Sequence, residues 1–495
     1  MERLFEIKDA AKRSKLQKIH DFSCKILETT GIKLLNDEML DALESNGCKI
    51  DRNRSIAYIP TKLIESKLED FSNEIRAGRK QRMIQGAVCF DVGDRVECKL
   101  GSFAPRWYDW DSKTERQATE EDLINSLRFG EAVNEIGSVG VAVYTNTIEG
   151  KKVDPNFTPI VNAMMISRYT KKIFNSEINS AKQLKYLMEM GAVVRGSMDA
   201  FKKNPCFITA KLPVSPLILD RPAAEVLVAL VKNDLPAQMI PMPIMGAGVP
   251  ITISGACAVT NAVIIGIMTA LRCISQNAMM GGGSMASYMD MMGKGIKFNV
   301  IDAIKVDMVM SQLHEVLYGF DYGYGIYSVD SKSLNENLII DKFFKLLGAF
   351  FVRKFNYVLG MYDQGMAFSP ELALIEIDIV KALDAMYRSF ETDDLNESFL
   401  EMVKLVGTDG NYLAERHTLN NIEKAPRFPI IEEDYNILLK SLNKDIYETA
   451  NIKFKNILKN ANYKLDEDKS KEIDRIVAAA HKDIIGIEWK DREEA

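Results

Sequence analysis

Residues 241–271 carry no charged side chain. A run of that kind has two ways to fold. It can span a bilayer, for which about 18 apolar residues suffice, or it can be a helix buried on every face in a large core. Pro250 and Gly255 interrupt the run, and Thr252, Ser254, Thr260 and Asn261 are polar. No basic cluster flanks it in the positive-inside pattern. The pattern therefore predicts a buried strand over 238–242, a tight turn built on Pro243, Gly246, Gly248 and Pro250, and a buried helix over 255–274. That is one βα unit at the centre of a larger α/β array.

The chain has 495 residues, enough for a large domain and a smaller one. A net charge of −6 disfavours general nucleic-acid binding and leaves a small-molecule substrate or a protein partner. The seven cysteines (24, 48, 89, 98, 206, 257, 273) are odd in number, lack CxxC spacing and lie largely in apolar runs. They are expected to be free thiols in a reducing compartment. The N-terminal stretch has no apolar signal core, so the expected location is the cytoplasm.

Three amphipathic helices are predicted at 14–30, 36–45 and 61–71, and a hairpin at 87–100 turning at Val92-Gly93-Asp94. A regular alternation then begins. Strands are predicted at 101–104, 139–144, 172–175, 206–210, 238–242, 278–281, 323–327 and 357–360. The helices between and after them are predicted at 119–135, 156–169, 181–194, 222–232, 255–274, 300–318, 333–351 and 370–390. Thr119 through Asp122 reads as a capping box, and so does Ser369-Pro370-Glu371. Eight strand–helix units imply a (β/α)8 TIM barrel. A doubly wound sheet is the alternative, but no GxGxxG follows the first strand, and Gly281-Gly282-Gly283 reads as a turn. The expected division is an N-terminal helical cap with its hairpin at 1–100, the barrel at 101–390 and a C-terminal helical appendage at 391–495.

In a barrel the chemistry sits where strands end. The residues falling there are Phe103, Arg106, Tyr108, Tyr144, Glu177, Lys211, Gly283, Tyr327, Ser328, Asp330 and Tyr362. His417 is a candidate to reach the mouth from the appendage. Rings recur and carboxylates are few. A set of aromatic faces suits a cation with no hydrogen to donate, a quaternary ammonium; the same rings also serve as rim packing. Glu177 and Lys211 are open to a rim salt bridge or to substrate contact. The four histidines lack zinc-site spacing, and His314 reads as a surface or packing residue rather than a catalytic one.

Several segments, in this order, are similar to one family. They are Lys18-Ile19-His20 through Gly31, Arg116 through Leu123, Ser215-Pro216-Leu217, the 241–255 turn, Asn261-Ala262, Phe368 through Glu371, and Tyr412-Leu413-Ala414 with His417-Thr418. The family is the trimethylamine methyltransferase superfamily, whose members pass a methyl group from an amine to a cognate corrinoid protein. The resemblance implies a TIM barrel, a homo-oligomer, a corrinoid (cobalamin) cofactor carried by the partner protein and no metal held by the chain itself. Trimethylamine enzymes of this family carry pyrrolysine in the segment matching 328–332. Here that segment is Ser-Val-Asp-Ser-Lys, which resembles the branch without pyrrolysine and its glycine betaine:corrinoid methyltransferases.

The implied reaction needs little from side chains. A quaternary nitrogen leaves neutral, so no acid is required and positioning with water exclusion suffices. The betaine carboxylate would need a donor; Arg106, Lys211 and the backbone amides of 281–283 are the candidates. Proline betaine, carnitine and γ-butyrobetaine fit as well. A non-catalytic quaternary-amine binder and another barrel enzyme, such as a pterin-dependent methyltransferase or a lyase using Lys211, are the alternatives of other classes.

Overall fold

The structure is a computed structural model that describes residues 10–77, 98–101, 103–172, 174–293, 295–319, 322–324, 328–352, 357–387, 392–421 and 446–494. The predicted hairpin at 87–100 and candidate Tyr327 lie outside these residues, apart from 98–100.

The charge-free stretch forms the helix Ile253–Ile274, N-capped by Thr252, whose side chain accepts the Gly255 N–H. It is long and apolar enough to cross a membrane, yet 83% of its most apolar window is buried inside the protein. The helices Ala10–Thr29, Asp37–Ser45, Thr61–Arg76, Arg221–Lys232 and Ile301–Leu313 pack around it. Several polar groups on this helix find partners on the elements around it. The Asn261 amide donates to Ser23 Oγ at 3.0 Å and to the Tyr318 hydroxyl at 2.9 Å. His20 Nδ1 lies 2.8 Å from the same hydroxyl. Arg272 pairs with Glu74 at 2.7 Å. Buried polar groups matched in this way fix how the N-terminal helices seat on the core.

Short parallel strands form three hydrogen-bonded runs. Ala210–Lys211, Ala237–Met239, Met280–Ser284 and Gly323–Tyr324 pair in that order. Tyr357–Val358, Cys98–Leu100 and Ile136–Val139 pair likewise, and Phe174–Asn175 pairs with Phe207–Ile208. The order is that of consecutive strands around a ring. No strand pairing joins Ile136–Val139 to Phe174–Asn175, or Gly323–Tyr324 to Tyr357–Val358, among the described residues. The architecture is thus α/β with parallel strands alternating with helices, and a closed ring of hydrogen bonds is not seen.

Three expectations are corrected. The first strand is Cys98–Leu100; residue 104 joins only by a single bridge to Val143. The glycine run is strand, not turn, because an added Cβ at Gly282 would sit 2.0 Å from the Met239 carbonyl oxygen. Only glycine allows neighbouring backbones that close. The 240–252 connection does hold a tight turn at 246–248, with the Gly248 N–H on the Ile244 carbonyl at 2.9 Å, but it is more than a turn. It carries the strand Ile244–Met245, which pairs with Ser287–Asp290, itself paired with Gly295–Lys297. Two further small sheets cover the body. Ile218–Leu219, Ile32–Leu34, Ile56–Tyr58 and Lys49–Asp51 form one; Met361–Tyr362, Ala367–Phe368, Arg106–Asp109 and Thr114–Gln117 form the other.

Candidate functional site

The sheet that joins Arg106–Asp109 to Met361–Tyr362 brings together candidates from opposite ends of the strand order. The Arg106 guanidinium forms ion pairs with Glu115, across the hairpin, and with Asp363. Its Nε donates to the Met366 carbonyl at 3.2 Å. Tyr362 is fully buried beside this cluster; burial and then the nearby Glu115 charge push its hydroxyl pKa far up, so it stays protonated. Tyr108 packs edge-on to Trp110, with centroids 6.4 Å apart, and the Lys113 ammonium already covers the Trp110 face. Phe103 sits at positive φ and packs against the core, and Tyr144 is exposed. The two rings at hand beside Arg106 are thus Tyr108 and Tyr362.

A second cluster is built on Asp330. Its carboxylate accepts the Phe298 and Asn299 N–H groups, at about 3.0 and 2.9 Å, and the Gln364 amide at 3.0 Å. The flanking backbone carbonyls of Val329 and Ser331 accept the N–H groups of Gln364 and Asp363 at 2.8 and 2.9 Å. Those two residues hold positive φ, strained for non-glycine residues. The bonds from 329–331 fix them in it. Ser328 donates to Met285 Sδ at 3.4 Å. One acid and its neighbours therefore tie the loops after three successive strands.

Gly283 lies inside Met280–Ser284, and Gly283 to Ser284 pair with Gly323 to Tyr324. Gly282 and Gly283 are thus there for close strand packing, since an added Cβ would meet the Met239 and Gly323 carbonyl oxygens at 2.0 and 2.9 Å. His417 stays within the appendage, 3.5 Å from Asp394 and edge-on to Phe399. Glu177 is exposed at the end of Phe174–Asn175.

Lys211 differs from the other charges. It ends the strand Ala210–Lys211 and is half-buried. Burial lowers its pKa, with Glu177 and Asp220 acting in the opposite sense. No carboxylate lies within ion-pair distance of it among the described residues.

The sequence reading missed a set of buried charges on the outer helices. Asp307 accepts the Ser284 hydroxyl at 2.7 Å and the Ala286 N–H at 3.0 Å, so it fixes the end of a central strand. Burial raises its pKa to about 7, against the pull of Lys345, Ser284 and Ala286. Lys342 and Glu376 pair at 2.8 Å with both side chains fully buried, and Glu376 accepts the Gly360 N–H at 2.6 Å. The signal was a few charges set inside an apolar helical run, as with Asp341, Lys342 and Lys345 of Glu336–Val352. His314 is buried and stacked on Tyr322 at 4.1 Å, a packing residue as expected. Two cavities of about 830 and 560 Å³ lie elsewhere, lined by none of the candidates.

Comparison with known proteins places these features in context. The family model described as trimethylamine methyltransferase (MTTB) matches residues 2–484. The trimethylamine methyltransferase MttB of Desulfitobacterium hafniense is 23% identical over 84% of this chain and 82% of its own length. A glycine betaine methyltransferase from Desulfitobacterium hafniense strain Y51 is 22% identical over 84% and 85%. The solved monomethylamine methyltransferase of Methanosarcina barkeri aligns over 92% of this chain and 96% of that one, with 11% identity and a TM-score of 0.43.

Proposed function

The chain belongs to the trimethylamine methyltransferase family, and from that premise we propose that it moves a methyl group from a quaternary amine, glycine betaine, to the reduced cobalt of a corrinoid carried by a partner protein. The observation that carries the choice of amine is the 328–332 segment. Its residues are ordinary ones, and 328–331 are engaged in bonds to Met285, 298–299, Asp341 and 363–364. None is held ready as a reactive group where trimethylamine enzymes of the family use pyrrolysine. A substrate that needs no activation fits such a segment. In a quaternary amine the N–C bond breaks with its electron pair left on nitrogen, and the methyl carbon takes a pair from the cobalt. Dimethylglycine leaves neutral at nitrogen, so no proton donor is required. The protein's task is orientation and exclusion of water.

The eight strand–helix units are proposed to close as a (β/α)8 ring around this site. An experimental structure with an open edge at either unpaired join would refute that closure.

The test of function is spectroscopic. The purified enzyme, a reduced corrinoid protein and glycine betaine should convert Co(I) to methyl-Co(III). Proline betaine, carnitine and γ-butyrobetaine are run in parallel to rank substrates. Absence of conversion with every quaternary amine, in an assay where a known methyl donor and its enzyme succeed, rejects the proposal.

A further inference from the structure

The charges at the strand ends divide into satisfied and unsatisfied. Arg106 has two carboxylates and a carbonyl; Asp330 has two backbone N–H groups and a side-chain amide; Asp307 has a hydroxyl and a backbone N–H. The amides of 281–283 lie within a strand paired on both sides. Lys211 is a half-buried ammonium with no carboxylate in pairing distance among the described residues. Its backbone is fixed, since its carbonyl accepts the Ile240 N–H at 2.9 Å.

Two hydroxyls stand at neighbouring backbone positions, one on the chain of Lys211 and one beyond the strand beside it. Thr209 is two residues before Lys211, a spacing that puts both side chains on one face of an extended chain. Ser176 follows Asn175, whose register partner on the neighbouring strand is Ile208, so Ser176 and Thr209 are the next positions along that pair. Both hydroxyls are buried, at 0% and 1% exposure, and neither has a hydrogen-bond partner among the described residues. Buried hydroxyls without partners are uncommon and call for one. A half-buried cation whose counter-charges, Glu177 and Asp220, stand beyond pairing distance is disfavoured for the same reason. A single carboxylate placed there would answer all three.

We infer that Lys211, with the hydroxyls of Thr209 and Ser176, is the carboxylate-binding end of the site. The enzyme would then select a zwitterionic quaternary amine over an amine with no acid group. This rests on the reading of the reaction given above. The rival outcome is a rim pair between Lys211 and exposed Glu177, whose charge acts on it, with no role in recognition.

The experiment compares glycine betaine with tetramethylammonium, which has the same cationic head and no carboxylate. The wild-type enzyme and the variants Lys211→Gln, Lys211→Arg, Thr209→Val and Glu177→Gln are assayed by methyl transfer to the corrinoid protein, with melting curves as a check of folding. Loss of one charge-assisted bond should lower the betaine-to-tetramethylammonium ratio of kcat/KM by about 10- to 100-fold in Lys211→Gln. Most of the change should fall in KM. Lys211→Arg should recover part of the ratio, Thr209→Val should lower it a few-fold, and Glu177→Gln should leave it in place. An unchanged ratio in a folded Lys211→Gln overturns the inference while leaving the function standing. A ratio that shifts as much in Glu177→Gln as in Lys211→Gln overturns it in favour of the rim pair. A wild-type enzyme inert to both amines overturns the function and the inference together.

Discussion

Lys342→Met should unfold this protein more readily than any surface change. Lys342 and Glu376 are both fully buried and 2.8 Å apart. Removing the lysine leaves a buried carboxylate without this counter-charge, still accepting the Gly360 N–H at 2.6 Å. Breaking a buried pair from one side costs about 3–5 kcal/mol. Unfolding entropy scales at roughly 2 cal/mol/K per residue. Over 495 residues it is about 1 kcal/mol/K, so the melting midpoint should fall by about 3–5 °C. Glu376→Gln alone strands the ammonium and should cost a similar amount. The double variant Lys342→Met, Glu376→Gln removes both charges of this pair, and its amide oxygen can still accept from Gly360. It should be less damaged than either single variant. Differential scanning calorimetry of all four proteins gives the comparison. Additive single effects, or a shift below about 1 °C in Lys342→Met, would refute the claim that these charges are desolvated and coupled.

Two further outcomes follow from the same interior. Burial raises the Asp307 carboxyl to about 7, above its unfolded value, so the folded state holds a proton that the unfolded state has lost between about pH 4 and 7, and this group's contribution declines as pH rises through that window. Asp307→Asn is neutral at every pH, so its deficit against wild type should be larger at pH 5 than at pH 8 in paired melting curves; an equal deficit would contradict the raised value. Gly282→Ala should part Met280–Ser284 from Ala237–Met239, because its Cβ would lie 2.0 Å from a backbone oxygen that cannot rotate away. A loss of about 3 kcal/mol or more is expected, and wild-type yield and melting would show that the strands are not so closely packed.

What the sequence displayed and what it hid follow from range. Helices are local, and their starts are written in local chemistry. Thr119 and Asp122 form the expected reciprocal cap at the start of Glu120–Ala132. Ser369 also caps its helix through the Leu372 N–H, but Glu371 takes the Ser369 hydroxyl and the Asn451 amide instead of closing the box. The eight alternating helices lie within a few residues of their expected bounds because each has its own apolar face. Strands of two to five residues carry too little periodicity to fix their ends, which is why Cys98–Leu100 was displaced to 101–104. Partnerships across the fold were invisible. Nothing near Arg106 announces Asp363, 257 positions away, so a guanidinium that looked available for a substrate is engaged by the protein.

That engagement bears on the reaction. A quaternary nitrogen carries its full charge in the ground state and loses it as the methyl group departs. A bare carboxylate beside it would hold the ground state more tightly than the transition state and slow the transfer. Aromatic faces hold the cation with less energy and so oppose its discharge less. The acids near the candidate rings meet this requirement in part, because Glu115 and Asp363 share the single positive charge of Arg106 and the Asp330 carboxylate is held by N–H donors. Lys211, which has no carboxylate in pairing distance among the described residues, is positive and would serve the far end of the substrate, where charge does not change during the reaction. Freeing an acid should therefore be worse for turnover than losing a ring. Arg106→Gln, which releases Glu115 and Asp363, should tighten betaine binding while lowering kcat. Calorimetric binding together with single-turnover rates would check this, and a rise or no change in kcat would sink the electrostatic argument.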